Sequence, residues 1–212
     1  MNRLDQQRRR LASGLAALAG FVDAVGFLSA DGYFVSFMSG NTTRLGVDLA
    51  RGTAQALVPA LLLAGFVGGV ALGAVAGGLA GGRRKRAVLA MVTALLLAAA
   101  LARASGAAPP ALTLGLLVGA MGALNNTFVR DGEVSVGLTY MTGALVKLGR
   151  AIGARLLGAP ASGGWGHAVL WLGLAGGAVL GALAFGHAGA AALWLAAGWS
   201  GAMLAVAWRL ES

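Results

Sequence analysis

Two similar stretches, one in each half of the chain, contain the polar residues best suited to binding a solute. The first reads Ser-Phe-Met-Ser-Gly-Asn-Thr-Thr-Arg over residues 36–44, and the second reads Thr-Tyr-Met-Thr-Gly-Ala-Leu-Val-Lys over residues 139–147. Each interrupts an apolar region and brings hydroxyl, amide and cationic groups to a place where they are costly to bury. Polar residues in such a place commonly mark a solute or ion pathway.

A broken helix would give both stretches a preference for negative charge. Gly40 permits a break in the backbone, and Ser39 or Asn41 is suited to capping the helix that follows. The first N–H groups of a helix and the positive end of its dipole favour an anion or a carboxylate. Arg44 and Lys147 occupy equivalent positions in the two stretches and add positive charge.

Asp23 precedes the first stretch in the middle of an apolar segment, and Asn125 occupies the equivalent position before the second. An aspartate at the centre of a membrane helix costs about 2.5–3.5 kcal/mol on insertion scales, so it usually has a partner or a function. Two interpretations stay open. Either Asp23 changes protonation during a transport cycle, or it forms a fixed ion pair with Arg44. Asn125 and Asn126 would offer neutral hydrogen bonds on the opposite side.

The predicted solute or ion site combines these groups with the hydroxyls of the two stretches. Its residues are Asp23, Ser36, Ser39, Gly40, Asn41, Thr42, Arg44, Asn125, Asn126, Thr139, Thr142, Gly143 and Lys147. No catalytic residue, metal site or cofactor is predicted, because the sequence has no cysteine and only two histidines. It also lacks a phosphate-binding loop of the G-x-x-x-x-G-K-[ST] type, so transport driven by a nucleotide is not expected.

The composition places this site inside a membrane protein. Hydrophobic residues make up 58% of the 212 residues and charged residues only 11%, whereas soluble domains carry about 25% charged residues. Most of the exterior must therefore face lipid. The net charge of +9 does not indicate nucleic acid, because the cations cluster beside apolar segments, as at 8–10 and 83–86. The expected partners are the lipid bilayer and an unknown small solute.

Six apolar segments are long enough to cross about 30 Å of hydrocarbon. They lie at approximately 11–30, 57–80, 87–104, 111–129, 168–186 and 189–208. The basic clusters fall in cytoplasmic loops if both termini are cytoplasmic, which predicts a multi-pass protein of the bacterial inner membrane. The N-terminal basic run also resembles a signal peptide, but Asp23 interrupts the apolar region that follows it.

Residues 32–52 and 136–158 are not ordinary spans, because each carries three charged residues. We predict that they are broken or re-entrant segments that enter from opposite sides. Irregular backbone at membrane depth is tolerated against protein or a water-filled cavity. The alternative is a pair of amphipathic helices at the membrane interface, with Arg44 and Lys147 reaching the headgroups.

The two halves of the chain are copies of one unit. Gly20–Asp23 aligns with Gly122–Asn125 at a spacing of 102 residues, and the polar stretches align at 103. Each unit has three spans, an odd number, so the second unit is inverted in the membrane. The predicted fold is an all-α polytopic membrane protein with six transmembrane helices in two inverted repeats, 1–105 and 106–212, each with a broken or re-entrant segment after its first helix. Sites in such proteins lie near the midplane, where the repeats meet.

Glycines recur at every fourth residue in the second and fifth spans. Small residues at this spacing let two helix backbones approach closely. The groove could be a seam along which the repeats move, or it could be tight packing within one chain or across a homodimer. Its residues are Gly65, Gly69, Gly73, Gly77, Gly173, Gly177 and Gly181.

The most specific motifs resemble a known family. The runs Phe21-Val-Asp-Ala-Val-Gly-Phe and Phe34-Val-Ser-Phe-Met-Ser-Gly-Asn-Thr-Thr-Arg resemble the YoaK-like small membrane proteins of bacteria, and the likeness extends over nearly the whole chain. The chain departs from the family pattern at Leu124, where the family has glutamine. The resemblance implies six spans and the shared motif, and it implies no substrate.

These patterns favour a small secondary transporter, with a midplane site for an anionic or carboxylate-bearing solute and coupling to protons. A channel is the nearest alternative. A membrane interaction or assembly protein is an alternative of another class, and it would require no polar site. Ser39-Gly40 resembles the serine turn of intramembrane proteases, but neither histidine has an evident route to Ser39. We therefore expect no enzyme activity.

Overall fold

The computed structural model describes residues 3–130, 132–159 and 164–211. These residues form eight α-helices and one very small hairpin. The helices are α1 (Arg3–Ser29), α2 (Met38–Ala50), α3 (Leu57–Leu79), α4 (Arg84–Ala104), α5 (Pro110–Leu124), α6 (Met141–Leu156), α7 (Gly164–Ala188) and α8 (Ala192–Leu210). The hairpin pairs β1 (Val129–Arg130) with β2 (Glu133–Val134) in antiparallel fashion.

Four helical segments of the described chain are long and apolar enough to cross a membrane: Gln6–Ser29, Ala54–Leu79, Gly81–Ala104 and Gly164–Leu210. The last of these spans 47 residues and contains both α7 and α8. The chain breaks between them at Gly189, whose φ of 55° is one that glycine adopts readily. The prediction of an all-α protein with several membrane-length helices is confirmed.

Close contacts fix the relative directions of the long helices. Ala17 meets Gly177 and Phe21 meets Gly181, so α1 and α7 run parallel. Helix α3 runs parallel to α5, because its residues 69 and 73 meet residues 119 and 123 in the same order. Thr93 and Ser200 share a hydrogen bond of 2.8 Å, and Lys85 meets Glu211, so α4 and α8 run antiparallel.

Among the four membrane-length segments of the described chain, α1 is the best buried. Leu15, Leu18 and Val22 are fully buried, and they pack with Leu89 and Leu96 of α4 and with residues of α5 and α8. Helices α3 and α7 instead leave many large side chains exposed along their length. Because lipid offers no hydrophobic driving force between helices, close packing and internal hydrogen bonds must hold the bundle together.

One carboxylate ties α8 to the start of α4. Glu211 accepts hydrogen bonds from the backbone N–H groups of Lys85 (3.0 Å) and Arg86 (3.2 Å), and its Oε1 lies 3.0 Å from Lys85 Nζ. The first N–H groups of a helix have no partner within the helix. Glu211 therefore supplies the negative charge that the positive end of α4 favours.

One predicted boundary and one predicted position are wrong. Helix α5 ends at Leu124 rather than at 129, because the N–H groups of Asn125, Asn126 and Thr127 each bond three residues back and tighten the chain into turns. Asp23 is not at the centre of its helix, since α1 runs from Arg3 to Ser29 and Asp23 lies in its last two turns. Helices α2 and α6, with 13 and 16 residues, are shorter than a bilayer requires.

Candidate functional site

After α1 ends, the chain turns back along that helix. Asp23 Oδ1 accepts hydrogen bonds from the backbone N–H groups of Val35 and Ser36, both at 2.8 Å. Val35 packs against Gly26, where an added Cβ would lie 2.6 Å from a Val35 methyl carbon. The aspartate thus holds an irregular stretch of backbone beside α1, below the level at which the helix ends.

Asn41 closes this irregular stretch. Its side chain is fully buried, its Oδ1 accepts the N–H of Phe34 (3.1 Å), and its Nδ2 donates to the carbonyl of Phe34 (2.7 Å). The prediction that Ser39 or Asn41 caps the helix is wrong, because Phe37 occupies the cap position and no side chain bonds there. Asn41 lies inside the first turn, and its amide is already used by Phe34.

Gly40 serves close packing rather than a backbone break. It lies within α2 and its φ is not positive. A Cβ at this position would lie 2.6 Å from the Phe37 ring and 3.0 Å from the Phe34 ring. Those two rings meet edge to face with centroids 5.1 Å apart. The predicted role of Gly40 in a backbone excursion is therefore wrong.

Arg44 is turned towards the loop that follows α1. Its Nη1 donates to the carbonyl of Gly32 (2.6 Å), and its guanidinium carbon lies 4.3 Å from the centroid of the Tyr33 ring. Asp23 and Arg44, both within the described chain, form no ion pair. The fixed ion pair was one of two interpretations of Asp23, and the geometry does not contain it.

The second stretch has a contact equivalent to that of Ser36 with Asp23, made by different atoms. Thr139 Oγ1 donates to Asn125 Oδ1 (3.2 Å), and Asn125 Nδ2 donates to the carbonyl of Met121 (3.1 Å). Both side chains are buried. The neighbouring Asn126 donates to the Val70 carbonyl at 2.9 Å and so ties the end of α5 to α3. Asn125 thus stands to Thr139 as Asp23 stands to Ser36.

The two stretches meet at one cavity of about 300 Å³, here called the central cavity. The starts of α2 and α6 both reach it. Phe66, near the middle of α3, forms another part of its wall. Hydroxyl groups and helix starts therefore share the cavity with apolar side chains. Its lining is Ser36, Phe37, Met38, Ser39, Phe66, Thr139, Tyr140, Met141, Thr142 and Gly143.

The predicted site residues fall into three groups. Five of them line the central cavity: Ser36, Ser39, Thr139, Thr142 and Gly143. Three others do not line the cavity but hydrogen-bond to residues in or next to the two stretches: Asp23, Asn41 and Asn125. The remainder do not line it: Gly40 lies under two rings, Thr42 donates to the Met38 carbonyl, and Arg44, Asn126 and Lys147 lie elsewhere.

Sequence reasoning missed the aromatic part of the lining. Tyr140 and Phe37 occupy the same position of the repeated motif, and that match was the available signal. Phe66 gave no signal, because it comes from a distant helix that carries no part of the motif.

The predicted glycine grooves are filled by other helices of the same chain. Gly69 faces the backbone of Gly119, and a Cβ on Gly73 would lie 2.9 Å from Ala123 Cα, so this part of the α3 groove receives α5. A Cβ on Gly177 would lie 2.6 Å from the Ala17 carbonyl carbon, so the α7 groove receives α1. Gly173 and Gly181 also face α1, whereas Gly65 faces Val118 at ordinary contact distance and Gly77 faces Arg84 and Val88 of α4.

Comparison with known proteins identifies the family. Residues 11–206 match the family model described as "Protein of unknown function (DUF1275)". The chain belongs to this family. A relative, the UPF0700 transmembrane protein RA0705 of Rhizobium meliloti (strain 1021), is 40% identical over 178 residues, which are 81% of this chain and 76% of that protein. No solved structure matches the chain.

The chain is a multi-pass membrane protein, as its several membrane-length helices and its transmembrane relative indicate. The matched range includes both polar stretches, the central cavity and both glycine grooves. The family description assigns no activity, so any function must be argued from the site itself. The finer likeness to YoaK-like proteins stays a prediction.

Proposed function

We propose that this protein is a small secondary transporter whose solute site is the central cavity. The observation that carries the proposal is the meeting of two copies of one motif at a single cavity, halfway along α3. A motif that occurs twice in sequence and converges in space builds a site from both halves of the chain. Transporters made of repeats place their sites where the repeats meet.

The two halves are inverted repeats in this proposal. Helix pairing supports the assignment, because α1 of the first half packs parallel to α7, and the equivalent α5 packs parallel to α3. The contact of Asp23 with Ser36 has its equivalent in the contact of Asn125 with Thr139. A pseudo-two-fold axis relates each pair to the other.

The long helices then make six crossings. The adjoining contacts support alternating directions for α1, α3, α4, α5, α7 and α8. The ends of α1 and α8 lie near each other, where Arg10 and Arg209 line one cleft, and α8 also meets the basic turn before α4. Basic residues concentrate on the cytoplasmic side, so both termini are assigned to the cytoplasm of a bacterial inner membrane.

Helices α2 and α6 are re-entrant half-helices in this scheme. The return of residues 34–36 along α1 supports it for the first, and Thr139 beside Asn125 supports it for the second. Their positive N-terminal ends both face the central cavity. Irregular backbone at that depth would be protected by protein and by the cavity.

The solute is an anion or a molecule with a carboxylate group. Among the described residues no acidic side chain lines the central cavity, which offers hydroxyl groups and two helix starts as donors. Phe37, Phe66 and Tyr140 make the rest of the wall suitable for a small apolar portion. This lining favours transport over hydrolysis, since neither histidine is part of it and His187 bonds to the Leu183 carbonyl.

Asp23 couples transport to protons in this mechanism. The carboxylate holds the first stretch through two charge-assisted hydrogen bonds, which are roughly twice as strong as neutral ones. Protonation would weaken both bonds and loosen one wall of the cavity. Asp23→Asn should therefore keep solute exchange while abolishing uptake driven by a proton gradient, as measured in proteoliposomes.

Site accessibility tests the proposal directly, because the chain has no cysteine to interfere. Single variants Ser39→Cys and Thr142→Cys would be treated with a membrane-impermeant thiol reagent in right-side-out and inside-out vesicles. Both positions should react, and each should be open to one side at a time. Leu180→Cys, on an exposed apolar face of α7, is the unreactive control.

The outcomes separate the function classes. Reaction from both sides at once would indicate a channel. Absence of reaction from either side would contradict a solute pathway and favour a membrane interaction protein. A solute is then found by thermal unfolding of the purified protein with small anions, carboxylates, amino acids, nucleobases and cations, since a ligand of the folded state raises Tm. For a solute of the central cavity, the rise should be lost in Thr142→Val.

A further inference from the structure

A second cavity lies at the end of the bundle where α1 ends and α5 begins. Its volume is about 260 Å³, and we call it the Thr113 cavity. Asp31 and Tyr33 come from the loop after α1, Arg103 from the last turn of α4, and Thr113 from the first turns of α5. It shares no lining residue with the central cavity. Small-molecule sites usually measure about 300–1,000 Å³, so an occupant must be small.

Thr113 brings an unsatisfied hydroxyl to this cavity. The residue is 6% exposed, and its Oγ1 has no hydrogen-bond partner in the described chain. A helical threonine commonly bonds to the carbonyl four residues back, but the Thr113 hydroxyl does not bond to the Pro109 carbonyl. A buried polar group without a partner is costly. A ligand in the cavity would remove that cost.

An acid and a base line the same cavity without meeting. Neither the Asp31 carboxylate nor the Arg103 guanidinium makes a hydrogen bond or ion pair with any residue of the ranges described. Opposite charges that line one cavity but stay apart leave room for a ligand carrying both charges. Each end of such a ligand would meet the charge it needs.

The position of Asp31 is fixed by its backbone. Asp31 is the one described residue other than glycine with a positive φ, at 49°. Such backbone strain persists where surrounding contacts hold it and often marks functional sites. Here Arg44 supplies the contacts, since its Nη1 lies 2.6 Å from the Gly32 carbonyl oxygen and 3.4 Å from that of Asp31. Arg44 acts as a positioning residue for this loop.

We infer that the Thr113 cavity binds a small zwitterion of the α-amino acid class. The ammonium group meets Asp31, the carboxylate meets Arg103, and the Thr113 hydroxyl supplies a third hydrogen bond. Charge-assisted hydrogen bonds of this kind are the strong ones, and a guanidinium matches a carboxylate in shape. The inference goes beyond the proposed transport function, because it concerns another cavity and holds even if the central cavity binds nothing.

Thermal unfolding of the purified full chain in detergent tests this inference. L-alanine is the probe, with propionate and ethylamine as matched compounds that each carry one of its two charged groups. L-alanine should raise Tm in a saturable manner, and the other two should bind at least about tenfold more weakly because each loses one charged contact. Equal effects of all three compounds, or no effect of any, would overturn the inference.

Variants locate the site. Asp31→Asn and Arg103→Gln should each weaken binding of L-alanine by about tenfold or more, and Thr113→Val by less, since the hydroxyl is uncharged. Asp48→Asn and Arg51→Gln are matched controls, because both residues lie at the end of α2 and neither lines the Thr113 cavity. Full binding in Arg103→Gln, or loss in either control, would contradict the assignment.

A variant of the central cavity keeps the two proposals apart. Thr142→Val should leave the effect of L-alanine on Tm unchanged, because Thr142 lines the central cavity and not the Thr113 cavity. Loss of the effect in Thr142→Val would move amino acid binding to the central cavity and overturn this inference while supporting the transport site. Binding that survives Thr142→Val, with Ser39→Cys and Thr142→Cys unreactive, would instead support the Thr113 site alone.

Discussion

The stretch at 34–44 and the stretch at 137–147 share a motif, but the first is held far more firmly than the second. In the first, Asn41 makes two hydrogen bonds to Phe34, Asp23 holds two backbone N–H groups, and Arg44 is bound to the loop after α1. In the second, alanine replaces Asn41 at position 144 and glycine replaces Phe34 at position 137. Thr139 keeps its single side-chain bond to Asn125.

Lys147 completes the contrast with its equivalent, Arg44. Its side chain is exposed, and it makes no hydrogen bond or ion pair with any other described residue. An ammonium group lacks the planar fork with which Arg44 bonds to a carbonyl and stacks on a ring. The same motif therefore starts two helices in the same way, while the neighbouring residues decide how firmly each is held. A rearrangement of the site would begin at the second stretch, where fewer bonds must break.

Asn41→Ala should give the largest loss of stability among the variants that test this comparison. Removing the amide leaves the N–H and the carbonyl of Phe34 without their partner, and each buried group left unsatisfied costs about 1–3 kcal/mol. Thermal unfolding should show a loss of about 2–6 kcal/mol in the free energy of unfolding. The control is Thr42→Ala, which removes only an exposed hydroxyl bonded to the Met38 carbonyl. Similar stability of the two variants would show that Asn41 does not hold the stretch.

Gly40→Ala and Gly143→Ala compare equivalent positions directly. At Gly40 the new methyl group would collide with two rings, and overpacking of this kind costs about 1–3 kcal/mol. At Gly143 a new Cβ would meet no other part of the described chain within 4 Å. Alanine should therefore stabilise the helix by up to about 1 kcal/mol. The difference in Tm between the variants is the measurement. The asymmetry would be refuted if both variants changed Tm equally.

Asp23→Asn should make the first stretch resemble the second, which has Asn125 at this position. The amide oxygen still accepts hydrogen bonds from Val35 and Ser36, but it carries no charge, so we expect a loss of about 1 kcal/mol. Faster hydrogen exchange at those two amides would report the loosening. Asp23→Leu, which removes the acceptor altogether, should cost clearly more than Asp23→Asn. Equal losses in the two variants would mean that hydrogen bonding does not explain the contribution of Asp23 to stability.

Arg44→Ala and Lys147→Ala test the weakest part of the contrast. Arg44→Ala should cost about 1–2 kcal/mol, because it removes a charge-assisted hydrogen bond and the contact with the Tyr33 ring. Lys147→Ala should stay within about 0.5 kcal/mol, as is usual for exposed side chains without partners. Both are measured by thermal unfolding at the same ionic strength. A larger effect at Lys147 would contradict the loose attachment of α6.

The sequence allowed much of this architecture to be predicted. Long apolar runs identified the membrane-length helices, and the repeated motif identified five of the residues that line the central cavity. Such features are visible because they depend on composition and on periods within a short window. The small residues that face α5 and α1 were also recognised from their spacing.

The partners of individual polar side chains could not be predicted in the same way. Asn41 bonds to a residue seven positions earlier, in backbone that follows neither a helix nor a strand. An ion pair of Arg44 with Asp23 was one of two interpretations and rested on charge alone, whereas Arg44 bonds to the Gly32 carbonyl and stacks on the Tyr33 ring. The Thr113 cavity joins residues from α4, α5 and the loop after α1. Contacts of this kind depend on how distant segments pack, which no local pattern records.

The parallel pairing of α1 with α7 sets the order in which the protein can mature during synthesis. Helix α1 is made early, yet the backbone that fits most closely against it is separated from it by five other helices. The close fit at Gly177 and Gly181 forms only after α7 has been inserted. Until then Asp23 stands in the bilayer on a helix without its partner. The amount of insertion machinery or membrane chaperone available to shelter α1 through this interval would therefore limit the yield of folded protein.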